Sequence, residues 1–252
     1  MSLNGYRTAF VTGASSGIGA GLCKRLAEHG LEVVLAARRE VELRALADEI
    51  EASGGKARVC PLDVADPQAV VETMHRVDDE LEGIDLVVAN AGVGKSRWSG
   101  KLRWDDCAPT IAVNVAGATA TLTALVTRMV KRERGHLVGV SSLAGHRGLP
   151  RNAAYSASKA FLSTFLESLR VDLRSTALTV TDIQPGFVKT PMTEGNPRMP
   201  FLMEVDRAVQ EIVDAIAARK GVHAFPLPLA LGVRSMGTLP NAIYDHLVQR
   251  VR

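Results

Sequence analysis

An α/β fold, a parallel sheet covered by helices on both faces, is what this sequence predicts, on three observations. First, six short apolar and β-branched runs recur: Thr8–Thr12, Glu32–Ala37, Ala57–Pro61, Leu86–Asn90, Leu137–Ser141 and Leu178–Ile183. They are near-continuously apolar rather than alternating, which marks a sheet buried on both sides. Second, a segment of helical period separates each run from the next, and strand–helix alternation implies parallel strands. Third, no sequence repeat and no low-complexity linker interrupts the series, so a single domain over 1–252 is expected.

The first strand runs into Thr12-Gly-Ala-Ser-Ser-Gly-Ile-Gly19, after which Leu22 and Leu26 set a helical period that Gly30 stops. A glycine-rich turn between strand and helix lets the backbone approach a pyrophosphate, and the helix N-terminus supplies amide hydrogens and the positive dipole end. Gly13, Ser15, Ser16, Gly17, Ile18 and Gly19 are therefore candidate cofactor contacts. Gly13-Ala-Ser-Ser-Gly17 also fits the G-x-S-x-G elbow of an α/β-hydrolase. That elbow follows several strands, however, and this one follows the first; no Asp and His pair stands downstream in the required order.

The second strand ends in Val33-Val-Leu-Ala-Ala-Arg38-Arg39, with no acid before Glu40. An acid here would hold the ribose hydroxyls of NAD. An arginine instead offers a planar fork suited to a 2′-phosphate. Arg38, with Ser15 adding a hydroxyl, makes NADP the favoured cofactor and NAD the alternative; Arg39 reads as the start of the solvated helix Glu40–Ser53.

Further along, Phe161, Leu162, Phe165, Leu166 and Leu169 set a helical period that puts Tyr155 and Lys159 on one face. A phenol beside an ammonium is an acid–base device: the positive charge favours phenolate and is expected to draw the tyrosine below its usual value of about 10. Ser142, at the end of the fifth strand, is placed to hold the same reacting oxygen. Ser156-Ala-Ser-Lys159 also fits S-x-x-K, but no S-D-N or K-T-G accompanies it.

Taken together, Thr12-Gly-x-x-x-Gly-x-Gly19, Asp63-Val64, Asn90-Ala-Gly92, Asn114, Ser142, Tyr155-x-x-x-Lys159 and Pro185-Gly186 with Thr190 resemble the short-chain dehydrogenases/reductases, over residues 7 to about 192. The resemblance implies a Rossmann-type doubly wound sheet in three layers and hydride transfer between a nicotinamide and an alcohol or carbonyl. It implies Tyr155 as general acid or base, Ser142 steadying the oxygen, Lys159 tuning the tyrosine and binding the cofactor ribose, and Asn114 completing a proton path through water. Asp63 and Val64 become the adenine contacts, and Asn90, Ala91 and Gly92 pass the adenosine ribose. Pro185, Gly186, Val188 and Thr190 run along the nicotinamide. Asn114 is expected inside one long helix from about Trp104 to Lys131.

Composition narrows the class further. Apolar residues at 46% and charged residues at 23% suit a soluble globular chain with a sizeable core. The net charge of +3 is mild and the cations are scattered, which argues against nucleic acid as partner. Cys23, Cys60 and Cys107 are far apart and read as thiols of a reducing, cytoplasmic compartment. The six histidines have no metal spacing, so no metal is expected. No signal peptide is read at Met1–Gly5, and no apolar run reaching the roughly 20 residues of a membrane span.

Substrate choice is expected from Val93–Asp105, Leu143–Asn152 and Pro191–Val205. The first is basic with two tryptophans, one expected to pack inside. The third, with Met192, Met199, Phe201, Leu202 and Met203, reads as a lid (191–205) over an apolar pocket for a hydrophobic carbonyl or alcohol. The tail, 227–252, lacks the small–Asp–Gly-Gly ending of many relatives, which leaves open whether it covers the pocket, dimerises or touches a membrane through Arg250 and Arg252. A homodimer or homotetramer through the helices 104–131 and 153–176 is the family expectation. Against the enzyme stand a non-catalytic nucleotide sensor on the same fold and, more remotely, the hydrolase.

Overall fold

The computed structural model describes Leu3, residues 5–194 and residues 199–249. Part of the expected lid, 195–198, and Arg250 and Arg252 of the tail lie outside the described residues. Seven strands form one sheet in the order β3-β2-β1-β4-β5-β6-β7, every neighbouring pair parallel. They are β1 (Thr8–Thr12), β2 (Glu32–Ala37), β3 (Lys56–Pro61), β4 (Leu86–Ala89), β5 (His136–Val140), β6 (Thr179–Pro185) and β7 (Val222–Phe225). The order reverses between β1 and β4, and the crevice at the carboxyl ends there is where such sheets bind ligands.

Successive side chains on a strand face opposite sides, and two cores result. Ala9 and Val11 of β1 join the layer formed with Leu22, Leu43 and Ile212. Phe10 joins the other, with Val70, Leu122 and Leu166. Helices α1 (Gly17–Glu28), α2 (Glu40–Ala52) and α8 (Val205–Ala217) cover the first face. On the other lie α3 (Pro67–Glu80), α4 (Trp104–Ile111), α5 (Ala118–Thr123), α6 (Val126–Lys131) and α7 (Ala153–Asp172). Local signals set the ends: Asp66 caps α3 by accepting from Ala69 N–H at 3.1 Å, with Pro67 in the first turn.

Three expectations change here. The helix predicted from 104 to 131 is not continuous: a π-helical stretch, Ala112–Gly117, separates α4 from α5, and Leu125 leaves helical geometry before α6. By length and composition alone Trp104–Lys131 does qualify as a membrane span, contrary to the sequence reading; half of its most apolar 18-residue window is buried within the fold. The seventh strand was not predicted because Val222-His-Ala-Phe225 is short and only Phe225 is buried.

The tail forms α9 (Leu227–Gly237) and α10 (Asn241–Gln249). Tyr244 of α10 donates its hydroxyl to Gly148 O at 2.8 Å, and the Arg147 guanidinium lies 4.2 Å over the Tyr244 ring. Arg147 also reaches Asn241 Oδ1 at 3.2 Å. The tail is thereby strapped to the loop between β5 and α7.

His136, fully buried on β5, is held as a neutral imidazole. The Tyr6 hydroxyl lies 2.8 Å from Nδ1, Nε2 lies 2.8 Å from Thr181 Oγ1, and Thr181 gives its own hydrogen to Lys220 O at 2.6 Å. Burial, then Arg219, pushes its pKa down to about 3. The folded state thus refuses a proton that the unfolded chain accepts near pH 6.5, so this stability is intact above that pH and lost as pH falls towards 3. Between pH 7 and 5 the folding equilibrium is expected to drop roughly twentyfold more in the native chain than in His136→Asn, measured by urea unfolding. Equal pH dependence in the two would show that the imidazole is not held neutral.

Candidate active site

The carboxyl ends of β1, β4, β5 and β6 open into a cleft of about 510 Å³. At its floor Thr12 and Asn90 tie β1 to β4. Thr12 Oγ1 accepts from Asn90 N–H at 3.1 Å and Ala91 N–H at 3.2 Å, and Asn90 Nδ2 donates to Thr12 O at 2.9 Å. The glycine loop lies above. Gly17 has φ +56°, and a Cβ on Gly19 would stand 2.2 Å from Gly13 O, so neither position accepts a side chain without rearrangement. Ser16 begins α1 without a capping side-chain bond, leaving first-turn amides for a ligand.

Arg39 folds back onto this loop. Its Nη2 donates to Ser15 Oγ at 2.9 Å and to Ser16 Oγ at 2.8 Å, and Nη1 lies 3.4 Å from Glu42. Arg38 lines the same cleft and is exposed. The arginine built into the loop is therefore Arg39, not the one chosen from sequence.

On the opposite wall, Ser142 follows β5 in extended backbone; its Oγ accepts from Ala144 N–H at 3.1 Å and donates to Pro185 O at 3.3 Å. α7 brings Tyr155 and Lys159 to the same place. Lys159 is buried, its Nζ donating to Val140 O at 2.8 Å and lying 5.7 Å from the Tyr155 ring centroid. Desolvation, partly offset by the Asp182 carboxylate, brings the ammonium down to about 8. For Tyr155 the expected lowering is not what the protein's own groups produce. Burial raises the phenol, and the Ser142 hydroxyl pulls against it.

Asn114 lies behind the cleft rather than in its lining, buried in the π-helical stretch. Its Oδ1 accepts from Val93 N–H at 2.8 Å; its Nδ2 donates to Val93 O at 2.9 Å and Ser158 Oγ at 3.0 Å. The amide thus clamps the backbone after β4 to α7. One residue on, Gly94 packs on Tyr155: a Cβ there would come within 2.8 Å of the ring. Sequence reading passed over Gly94, since a single glycine in a loop carries no signal of what it touches.

A family described as short chain dehydrogenase matches residues 7–200. The chain belongs to the short-chain dehydrogenase family. A relative from Myxococcus xanthus, an uncharacterized oxidoreductase, is 51% identical over 253 residues and covers 100% of both chains. Among solved structures, a short-chain dehydrogenase from Sphingobium yanoikuyae in complex with NADPH superposes with TM-score 0.82 at 26% identity, over 98% of this chain and 96% of that one. One from Burkholderia phymatum in complex with NAD reaches TM-score 0.84 at 23% identity, over 91% and 92%, and speaks to the fold alone. This short-chain dehydrogenase is thus an oxidoreductase by family, and the two solved structures hold different nicotinamide cofactors, NADPH in one and NAD in the other.

In this short-chain dehydrogenase every residue named from sequence as a cofactor contact lines the one cleft, from Gly13 to Thr190, as do Ser142, Tyr155 and Lys159. The basic loop after β4 differs from expectation. Lys95 and Arg97 turn to the buried Asp106, at 2.6 and 3.4 Å, and neither tryptophan packs inside: Trp98 is 52% and Trp104 68% exposed. Past β6, Met203 returns to the sheet side, pairing with Val188, while Met192, Phe201 and Leu202 stay exposed.

Proposed function

We propose that this enzyme interconverts an alcohol and a ketone or aldehyde, with NADPH favoured over NADH. The observation that carries the reading is the meeting of Ser142, Tyr155 and Lys159 in the cleft that the glycine loop closes. The residues fit a dinucleotide: a side chain at Gly17 would press on Thr190 and one at Gly19 on Gly13 O, so bare backbone is what lets the loop close this tightly at the start of α1, whose first amides face the cleft. In the reading, the glycine loop holds the diphosphate, Asp63 and Val64 the adenine, and Asn90, Ala91 and Gly92 border the adenosine ribose. Pro185, Gly186, Val188 and Thr190 hold the nicotinamide end.

When bound, the nicotinamide supplies or receives the hydride, and the protein supplies position and charge. Tyr155 gives its proton to the carbonyl oxygen in reduction and takes it back in oxidation. Ser142 donates to the same oxygen as charge develops, its bond to Pro185 O being long enough to give up. Lys159 spends one of three hydrogens on Val140 O and keeps two for the cofactor ribose and the phenol. Asn114, behind the cleft, holds Val93 and α7 together beside both and leads the proton path. The test is NADPH oxidation against a panel of ketones and aldehydes; no turnover with any of them, with cofactor bound, would overturn the reading.

NADP preference rests on Arg39 with Ser15 and Ser16, and Arg38 adds charge at the rim. A charge-assisted bond to phosphate is worth about 1.5–3 kcal/mol. Arg39→Ala is therefore expected to raise KM for NADPH by about ten- to a hundredfold and leave NADH nearly unchanged, with a smaller effect from Arg38→Ala. Equal loss for both cofactors would refute it. The exposed Met192, Phe201 and Leu202 support an apolar substrate. Trp104, Ile111, Phe161 and Val171, exposed on α4 and α7, support a homo-oligomer through those helices. The hydrolase reading gains nothing, since Ser15 Oγ is held by Arg39.

A further inference from the structure

Beneath α7 lies a carboxylate that the mechanism above does not use. Asp182, in the middle of β6, is 3% exposed. Its side chain accepts from Ser141 Oγ and from Gln184 Nε2, the latter at 2.7 Å. Among the described residues no cation stands within ion-pair distance of it. A buried carboxylate without a paired cation is costly, and neutral donors meet only part of that cost.

The sheet register says what it faces. Asp182 pairs laterally with Gly139 of β5, and a Cβ on Gly139 would meet Leu166 of α7 at 2.5 Å. Gln184, two residues on and on the same face, reaches Ser163 Oγ of α7 at 3.5 Å. Ser163 lies one helical turn past Lys159. Carboxylate and ammonium therefore share one buried layer between β5, β6 and α7, with the ammonium on Val140 O at 2.8 Å. Other ionisable groups around them are Tyr155 on α7, His146, whose Nε2 meets Gln184 Oε1 at 3.0 Å, and Arg170, half-exposed beside Gly221.

We propose that Asp182 is a positioning residue of this enzyme, the buried counter-charge that keeps Lys159 an ammonium while Ser141 and Gln184 hold it back from contact. The separation has a use. A direct ion pair would consume the donors that Lys159 turns towards the cleft and would cancel its field at the phenol; a carboxylate held one layer away stabilises the charge without doing either. The direction in which Asp182 moves Lys159, upward against burial, agrees. The proposal rests on the reading of Lys159 as the working cation.

The test is the titration of Lys159 by 13C NMR in lysine-labelled protein, its signal assigned by loss in Lys159→Arg. In Asp182→Asn the midpoint is expected to fall by about one pH unit, and the alkaline limb of NADPH-dependent carbonyl reduction to fall with it. Ser141→Ala, which keeps the charge, is expected to move both much less. An unmoved midpoint in folded Asp182→Asn, even with kcat lowered, would leave Asp182 a packing residue and overturn the proposal. Should that variant not fold, the wild-type Asp182 carboxyl signal decides: it must be ionised from pH 6 to 8, and a protonated acid there overturns the proposal equally. A shifted midpoint in an enzyme that reduces no carbonyl would instead sink the reaction and leave the coupling standing.

Discussion

Replacing Tyr155 by phenylalanine is expected to lower kcat for carbonyl reduction on the order of a hundred- to ten-thousandfold, the range a positioned proton donor supplies. NADPH affinity should change little, because the ring still fills its place against Gly94 and Lys159 remains on Val140 O. Steady-state turnover beside a fluorescence titration of NADPH separates the two effects. Equal turnover in both proteins removes Tyr155 from the chemistry. The pH dependence carries a sign as well. Burial raises the phenol, so at neutral pH the proton-donating form dominates and reduction is the direction served. Alcohol oxidation, which needs the phenolate, is expected to climb as pH rises above neutrality.

Removing the Asn114 amide has the largest expected effect on stability. In Asn114→Ala the Val93 amide and carbonyl and the Ser158 hydroxyl lose a partner at once, in a site 1% exposed. Unsatisfied buried groups cost about 1–3 kcal/mol each, and Ser158 retains its bond to Tyr155 O, so a total of about 3 kcal/mol is expected. For a chain of this size that is a fall of roughly 6–12 °C in Tm by calorimetry. Turnover should fall too, since Val93 leads into Gly94 and the Tyr155 ring. A melt within a degree of the native protein's would mean that the clamp is dispensable.

What the sequence made legible, and what it hid, follows from range. Strands β1 to β6 were readable within two residues: β1, β2, β4 and β5 are buried almost end to end and so nearly all apolar, while the edge strand β3, mostly exposed or half-buried, was marked by its place in the strand–helix alternation. β7 was not, since an edge strand of four residues with three of them partly exposed leaves no such run. Motif spacing put Gly13 to Thr190 in one cleft, because each motif sits at a strand end and the topology gathers those ends. Spacing could not decide between Arg38 and Arg39. That choice depends on where the chain turns after Ala37, and the turn leaves Arg39 at the start of α2, facing Ser15 and Ser16. Nor could it show the π-helical stretch at Asn114: one extra residue in a turn alters hydrogen-bond registry, while Val113 and Val115 look the same to a periodicity count. For Tyr155 the partner charge was visible in the sequence, but the depth of the pocket was not, and depth proved the stronger influence.

The strap between Arg147 and Tyr244 has a practical bearing. Chain segments almost a hundred positions apart are fastened together, and the nearer one feeds straight into the helix that carries Tyr155. Alterations made far downstream, such as clipping α10 or fusing a bulky partner beside it, would be transmitted to the rim where substrates enter. Assays intended to find a substrate of this enzyme are best run with that end left native.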